Sequence, residues 1–147
     1  MYRSRIDAVE GLLVGLFSGS SNDADDYQRY IDSILDADQK TLATTAKIAI
    51  LLVDRDNPPP DAQWRKRIAD ASAGVRTEGA IFVLCAQSPI IRGVLTAINW
   101  IRAPRYEVRI VGTLEATLAI VRDRRASAPA RAEQMIAELR REAQDPQ

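Results

Sequence analysis

Lys47–Asp54 reads KIAILLVD and runs into Asn57-Pro58-Pro59-Pro60-Asp61, after which a helical pattern begins. Ile48–Val53 is apolar at every position, the pattern of a strand covered on both faces. The prolines have no amide hydrogen to give a ladder, so the strand stops before them. The unit then repeats. Gly79–Ala86 (GAIFVLCA) leads into Gln87-Ser88-Pro89 and a second helical run, and Tyr106–Val111 leads into Gly112-Thr113-Leu114. Parallel strands need long crossover connections, and a helix after each apolar strand supplies one. The expected fold class is α/β, with a mixed, mostly parallel sheet.

Toward the N-terminus, Tyr2–Glu10 and Leu12–Ser18 read as two strands joined at Glu10-Gly11. In the first, Tyr2, Ser4, Ile6 and Ala8 alternate with Arg3, Arg5, Asp7 and Val9, which is the period of a half-exposed strand. Its arginines suit an edge, where charge discourages pairing with another chain. Leu12–Phe17 is more continuously apolar and belongs further into the sheet. Asp23, Asp25 and Asp26 open a helix, where acids complement the macrodipole. Tyr27, Ile31, Ile34 and Leu35 should form its buried face.

The later helices are read in the same way. Trp64, Ile68, Ala71 and Val75 share one face. Ser88 caps the next helix with Pro89 at its first position, and Ile91, Val94, Leu95, Ile98 and Ile101 form its stripe. Thr113 caps Leu114–Arg125, with Leu114, Leu118 and Val121 inward. Ser127-Ala128-Pro129 should break that helix. Ala130–Ala143 then adds one more, whose Met135-Ile136-Leu139 face either packs on its own sheet or pairs with a second copy. The end, Asp145-Pro146-Gln147, is expected to fray. The total is about five strands and four helices plus one extra C-terminal helix.

Composition removes several function classes. Twenty Lys+Arg balance twenty Asp+Glu, so no global charge draws the chain to nucleic acid or an anionic membrane. The arginines of the C-terminal third interleave with Glu133, Glu138 and Glu142, as on a solvated helix. Histidine is absent, which removes the commonest general base and metal ligand together. The single cysteine, Cys85, sits in an apolar strand and reads as a small buried hydrophobe. No stretch approaches the ~20 apolar residues of a membrane span, and no signal-peptide pattern is present. The expectation is a cytoplasmic protein with no integral membrane segment and no cofactor. At 147 residues it buries a sufficient core without disulfide or metal.

The element order, with Ile48–Asp54 as central strand and SPIIRGVLTAINWI followed by YEVRIVGTLEATLAIV, resembles the STAS family of bacterial anti-sigma-factor antagonists and transporter termini. The resemblance covers roughly Tyr2–Arg125. It implies a STAS-like domain over 1–126, with 127–147 as an appended helix and tail, and a bacterial signalling role exercised through a protein partner. In phosphorylated antagonists the central strand ends in Asp-Ser. Here Asp54-Arg55-Asp56-Asn57-Pro58-Pro59-Pro60-Asp61 contains no serine or threonine, so the chain is expected to fall in a divergent branch without that phosphoserine.

Five residues are candidates for binding a partner or ligand: Asp54, Asp56, Ser88, Arg92 and Trp100. Asp54 and Asp56 follow a parallel strand, where open α/β sheets bind ligands. They could hold Mg²⁺ or act as acid and base, or hold a turn and cap a helix. Ser88 could be a phosphoacceptor or anion contact, with Arg92 one turn on, or simply the helix cap. Trp100 lies one position off its helix stripe and could offer a sticky patch.

Three readings follow. The first is a non-enzymatic regulatory or protein-interaction module, monomeric or homodimeric, using the loops Asp54–Asp61 and Gln87–Arg92. The second is a carrier of a small apolar ligand such as a lipid or fatty acid, in a cavity between the sheet and the helices Pro89–Arg102 and Leu114–Arg125. The third is a metal-dependent enzyme using Asp54 and Asp56.

Overall fold

A computed structural model describes residues 1–145. Of the end expected to fray, Pro146 and Gln147 lie outside the described residues. The elements are β1 (Tyr2–Asp7), β2 (Leu12–Phe17), α1 (Ala24–Lys40), β3 (Ile48–Val53), α2 (Ala62–Ala73), β4 (Ile81–Ala86), α3 (Pro89–Ile101), β5 (Glu107–Val111), α4 (Leu114–Arg124) and α5 (Ala128–Gln144). They form one five-stranded sheet in the order β1-β2-β3-β4-β5. β1 runs antiparallel to β2, and the other three pairings are parallel. The α/β class and the mostly parallel sheet are thus as the sequence predicts, with β1 at an edge.

The strand order explains the layering. From β2 to β5 the chain always advances in the same direction, and such crossovers share one hand. α1, α2 and α3 therefore fall on one face. There Tyr27, Tyr30, Ile31, Ile68, Ile91 and Ile98 meet Phe17, Leu51 and Leu84 of the sheet. The opposite face would be bare without the last two helices. α4 and α5 cover it, setting Val121, Ala132, Met135, Ile136 and Leu139 against Leu12, Val14, Leu16, Ile48, Ile50 and Val83. The Met135-Ile136-Leu139 face is consequently used on the chain's own sheet and is not left for a second copy.

Capping follows the sequence closely. The Asp23 carboxylate accepts from the Asp26 amide while the Asp26 carboxylate accepts from the Asp23 amide, a reciprocal box at the start of α1. Asp61, Ser88 and Thr113 cap α2, α3 and α4.

Several boundaries differ from expectation. β1 ends at Asp7, not Glu10, because the Asp7 carboxylate accepts the Val9 and Glu10 amides and closes a turn. Gly11 completes that turn at φ 65°, a left-handed conformation that glycine adopts freely. α5 begins at Ala128, not Ala130, since Pro129 sits in the first turn, where a missing amide costs nothing. Leu35, Ile101 and Leu114, assigned to buried faces, are exposed. On α1 the buried line runs through Tyr27, Tyr30 and Ile31 instead. Ile101 ends α3. Leu114 starts α4, and Thr117 and Val121 take the inner line.

Candidate functional site

The two faces of the sheet are packed differently. Toward α4 and α5, Val14, Val83, Met135 and Leu139 are sealed completely. Toward α1, α2 and α3, Ala49 and Phe82 retain accessible surface although they sit on β3 and β4, inside the sheet. Leu13, Ala49 and Phe82 lie side by side in register across three strands. Alanine is the small member of that row, and the shortfall leaves a hollow.

The hollow is a cavity of about 140 Å³ under α1, α2 and α3. Its wall is chiefly apolar: Ala49, Leu51, Phe82 and Leu84 from the sheet, and Ile68, Val94, Leu95 and Ile98 from the helices. The cavity expected of a carrier was placed between the sheet and two helices, Pro89–Arg102 and Leu114–Arg125. The structure puts those helices on opposite faces, so α1 and α2 take the place assigned to α4.

One row further along, Gly15 is the partner of Leu51. The Tyr2 ring occupies the space a Gly15 side chain would need, with the phenol oxygen 2.5 Å from the position of a Cβ. The Tyr2 hydroxyl is 2.7 Å from Ser33 Oγ, and Ser33 donates to the Tyr30 carbonyl at 2.7 Å. Burial pushes the Tyr2 phenol up, against a smaller opposing effect of Ser33. Tyr30 stacks edge-on to both Tyr2 and Phe17, at centroid distances of 5.3 and 5.5 Å. Burial raises its phenol well above the ordinary range too, with Tyr2 and Tyr106 adding to it. Tyr106 lies 6.3 Å from Phe82 between ring centroids, and burial raises its phenol against a hydrogen bond with Ser72.

Polar clamps close the two ends. At the C-terminal end of the strands, Asn22 and Asn57 hydrogen-bond reciprocally, each amide donating to the other's carbonyl at 2.8 and 3.0 Å. Asn57 also donates to the Gly19 carbonyl, and Asn22 to the Tyr27 hydroxyl. At the other end the Asp38 carboxylate takes Lys47 and the Arg76 amide and guanidinium. Arg76 also donates to the carbonyls of Asp38 and Thr41. Burial opposes the charge on Asp38, but these donors outweigh it and hold the carboxyl below its usual range.

The five residues chosen from the sequence do not converge on this space. Asp54 pairs with Arg140 of α5 and accepts the Gly19 amide. Asp56 is exposed on the following turn. Ser88 accepts the Ile91 amide at 3.5 Å as the cap of α3. Arg92 donates to the Ala86 carbonyl at 2.9 Å, and its guanidinium lies against Gly112. Trp100 is 84% exposed. Among the described residues no three acidic or cysteine side chains gather as they would around a metal ion. The helix side of the wall, Ile68, Val94, Leu95 and Ile98, belongs to the stripes expected from the sequence, whereas the sheet side and Tyr30 do not, although two small residues in otherwise large-residue strands, Gly15 and Ala49, are their trace there. Among the described residues no helix is long and apolar enough to cross a membrane.

No family model, curated protein or solved structure matches the chain.

Proposed function

We propose that this chain is a non-enzymatic regulatory module of the STAS-like type whose cavity takes a small apolar ligand. The observation that carries the ligand part of the reading is the cavity itself, lined by three helices on one face of a sheet whose other face is closely packed. An apolar void of about 150 Å³ is known to admit benzene. A space of about 140 Å³ therefore suits a small ring or short chain, not a long acyl chain lying at full length. The ionisable groups that face it are tyrosines, neutral at ordinary pH, and the Lys47 and Arg76 already bound to Asp38. That set supports binding better than turnover.

The test is a thermal-shift titration of the full chain with a panel of small apolar compounds, alongside native mass spectrometry of the fresh protein. A ligand that binds only the folded chain raises the midpoint as its concentration rises. A saturating rise or a retained adduct supports the reading, whereas a panel without effect and a bare mass overturn it.

A second reading, recognition of a protein partner, is favoured by one observation. Exposed apolar side chains stand at both ends of α3, Ile90 (67% exposed) at its start and Trp100 (84% exposed) with Ile101 at its end. Arg102, paired with Asp70, and the exposed Arg105 follow at its end. A partner with an apolar patch edged by acidic residues fits this surface. Loss of capture by Trp100→Ser in a fold-preserving background would support it.

A further inference from the structure

We infer that the ligand is a neutral, single-ring molecule carrying one hydrogen-bonding substituent, and that the Tyr30 hydroxyl is its anchor. The inference rests on the reading of the cavity as a binding site and adds the chemical class of its occupant.

Size and lining give the ring. The space of about 140 Å³ matches one aromatic ring with a small substituent. Phe82 and Tyr106 offer ring faces and edges on one side, Phe17 and Tyr30 on the other.

The substituent follows from an accounting of hydroxyl groups. Among the described residues, every fully sealed polar side-chain atom has a hydrogen-bond partner. Tyr2 has Ser33, Tyr27 has Asn22, and Tyr106, only half-buried, has Ser72. Tyr30 is 93% buried as a residue (7% exposed), lines the cavity, and its hydroxyl makes no hydrogen bond among the described residues. Since that oxygen is unpartnered and yet not among the sealed atoms, it borders open space, and the open space at Tyr30 is the cavity. The ring that carries it is held by Tyr2 and Phe17, so the hydroxyl is aimed before any ligand arrives. A phenol can donate or accept, so an alcohol, phenol or carbonyl on the ligand would serve equally.

Charge bookkeeping gives neutrality. The two cations at the cavity's end are already consumed: Lys47 by Asp38, and Arg76 by Asp38 and two carbonyls. An anionic ligand would have to displace these bonds or lie unpaired in an apolar space, which is strongly unfavourable.

The experiment titrates the full-length protein at neutral pH with toluene, phenol and benzoate, following methyl NMR resonances of Leu84, Val94 and Ile98. Tyr30→Phe and Tyr106→Phe are titrated alongside. One neutral hydrogen bond corresponds to about twofold to tenfold in affinity. The expected result is phenol binding tighter than toluene by that factor, benzoate weakest, and the phenol preference abolished by Tyr30→Phe but not by Tyr106→Phe. Equal binding of phenol and toluene, loss of the preference in Tyr106→Phe instead, or benzoate binding as well as phenol overturns the inference while leaving the cavity a binding site. No binding of any ring overturns both. The wild-type order of the three probes decides the class even where a variant fails to fold.

Discussion

Asp54, the first residue after the central strand, is ion-paired with Arg140 on the last helix of the chain. The two residues are far apart in sequence, and their pairing joins the loop end of β3 to the helix that seals the opposite face. A carboxylate placed where α/β proteins bind ligands is thus engaged in holding α5. Both side chains are partly exposed, so solvent screens the pair. Asp54→Asn and Arg140→Ala should each lower stability by only about 0.2–1 kcal/mol. The double variant should lose less than the sum of the two, which urea unfolding of all four proteins measures as a coupling energy.

Gly15 should tolerate no side chain. A Cβ there would lie 2.5 Å from the Tyr2 oxygen and 2.8 Å from Cε2. Tyr2 cannot move aside without losing Ser33 and its contacts with Phe17 and Tyr30. Gly15→Ala should cost about 1–3 kcal/mol through overpacking. The same change in a Tyr2→Leu background should cost clearly less, because the obstructing ring is gone. Chemical denaturation of the four proteins checks both statements.

Acid should loosen α1 at both ends. Burial works against the charge on Asp26, yet the amides of Asp23 and Tyr2 and the Arg29 guanidinium prevail and hold its carboxyl below the usual range. Asp38 is lowered in the same sense. A depressed carboxylate contributes stability that is present above its unfolded value, about 3.9. That contribution is lost as pH falls through the lower folded value. Unfolding midpoints should therefore hold steady down to about pH 5 and fall below about pH 4. Asp26→Asn should flatten part of that fall. A slope unchanged by both Asp26→Asn and Asp38→Asn would contradict the assignment.

The architecture was legible because it depends on local patterns. Three apolar strands, each followed by a capped helix, state the crossover plan, and the Asp23, Ser88 and Thr113 caps stand where the sequence puts them. The cavity was not legible because it depends on register. Ala49 reads as one more apolar residue until Leu13 and Phe82 are placed beside it, and Tyr30 falls outside the stripe expected for α1. The candidate residues were chosen for their chemistry at strand ends. Asp54 bonds to Arg140 near the far end of the chain, and Arg92 to the Ala86 carbonyl that ends β4, pairings that residue type and spacing do not reveal.

Two apolar residues should respond to truncation in very different degrees. Met135 is sealed between α5 and the sheet. Met135→Ala should cost about 2–5 kcal/mol, the transfer loss plus the void left behind. Trp100→Ala removes a larger side chain that is mostly in water, and should change stability by less than about 0.5 kcal/mol. Thermal unfolding of the two variants separates them directly.

Ala49 offers the sharpest test of the cavity because its expected effects on stability and binding diverge. It lies at the middle of the three-residue row across β2, β3 and β4 and borders the hollow. Ala49→Ile adds three carbons, in a shape that suits a strand. Were the space already filled, overpacking would cost about 1–3 kcal/mol. With the space open, each added carbon is buried at a gain of up to about 0.8 kcal/mol. The variant should thus be as stable as the parent or more so, and it should lose affinity for any ring that the parent binds. Urea unfolding reads the first effect, and a titration with toluene reads the second. Unchanged ring binding in a fully folded Ala49→Ile protein would place the ligand elsewhere on the molecule.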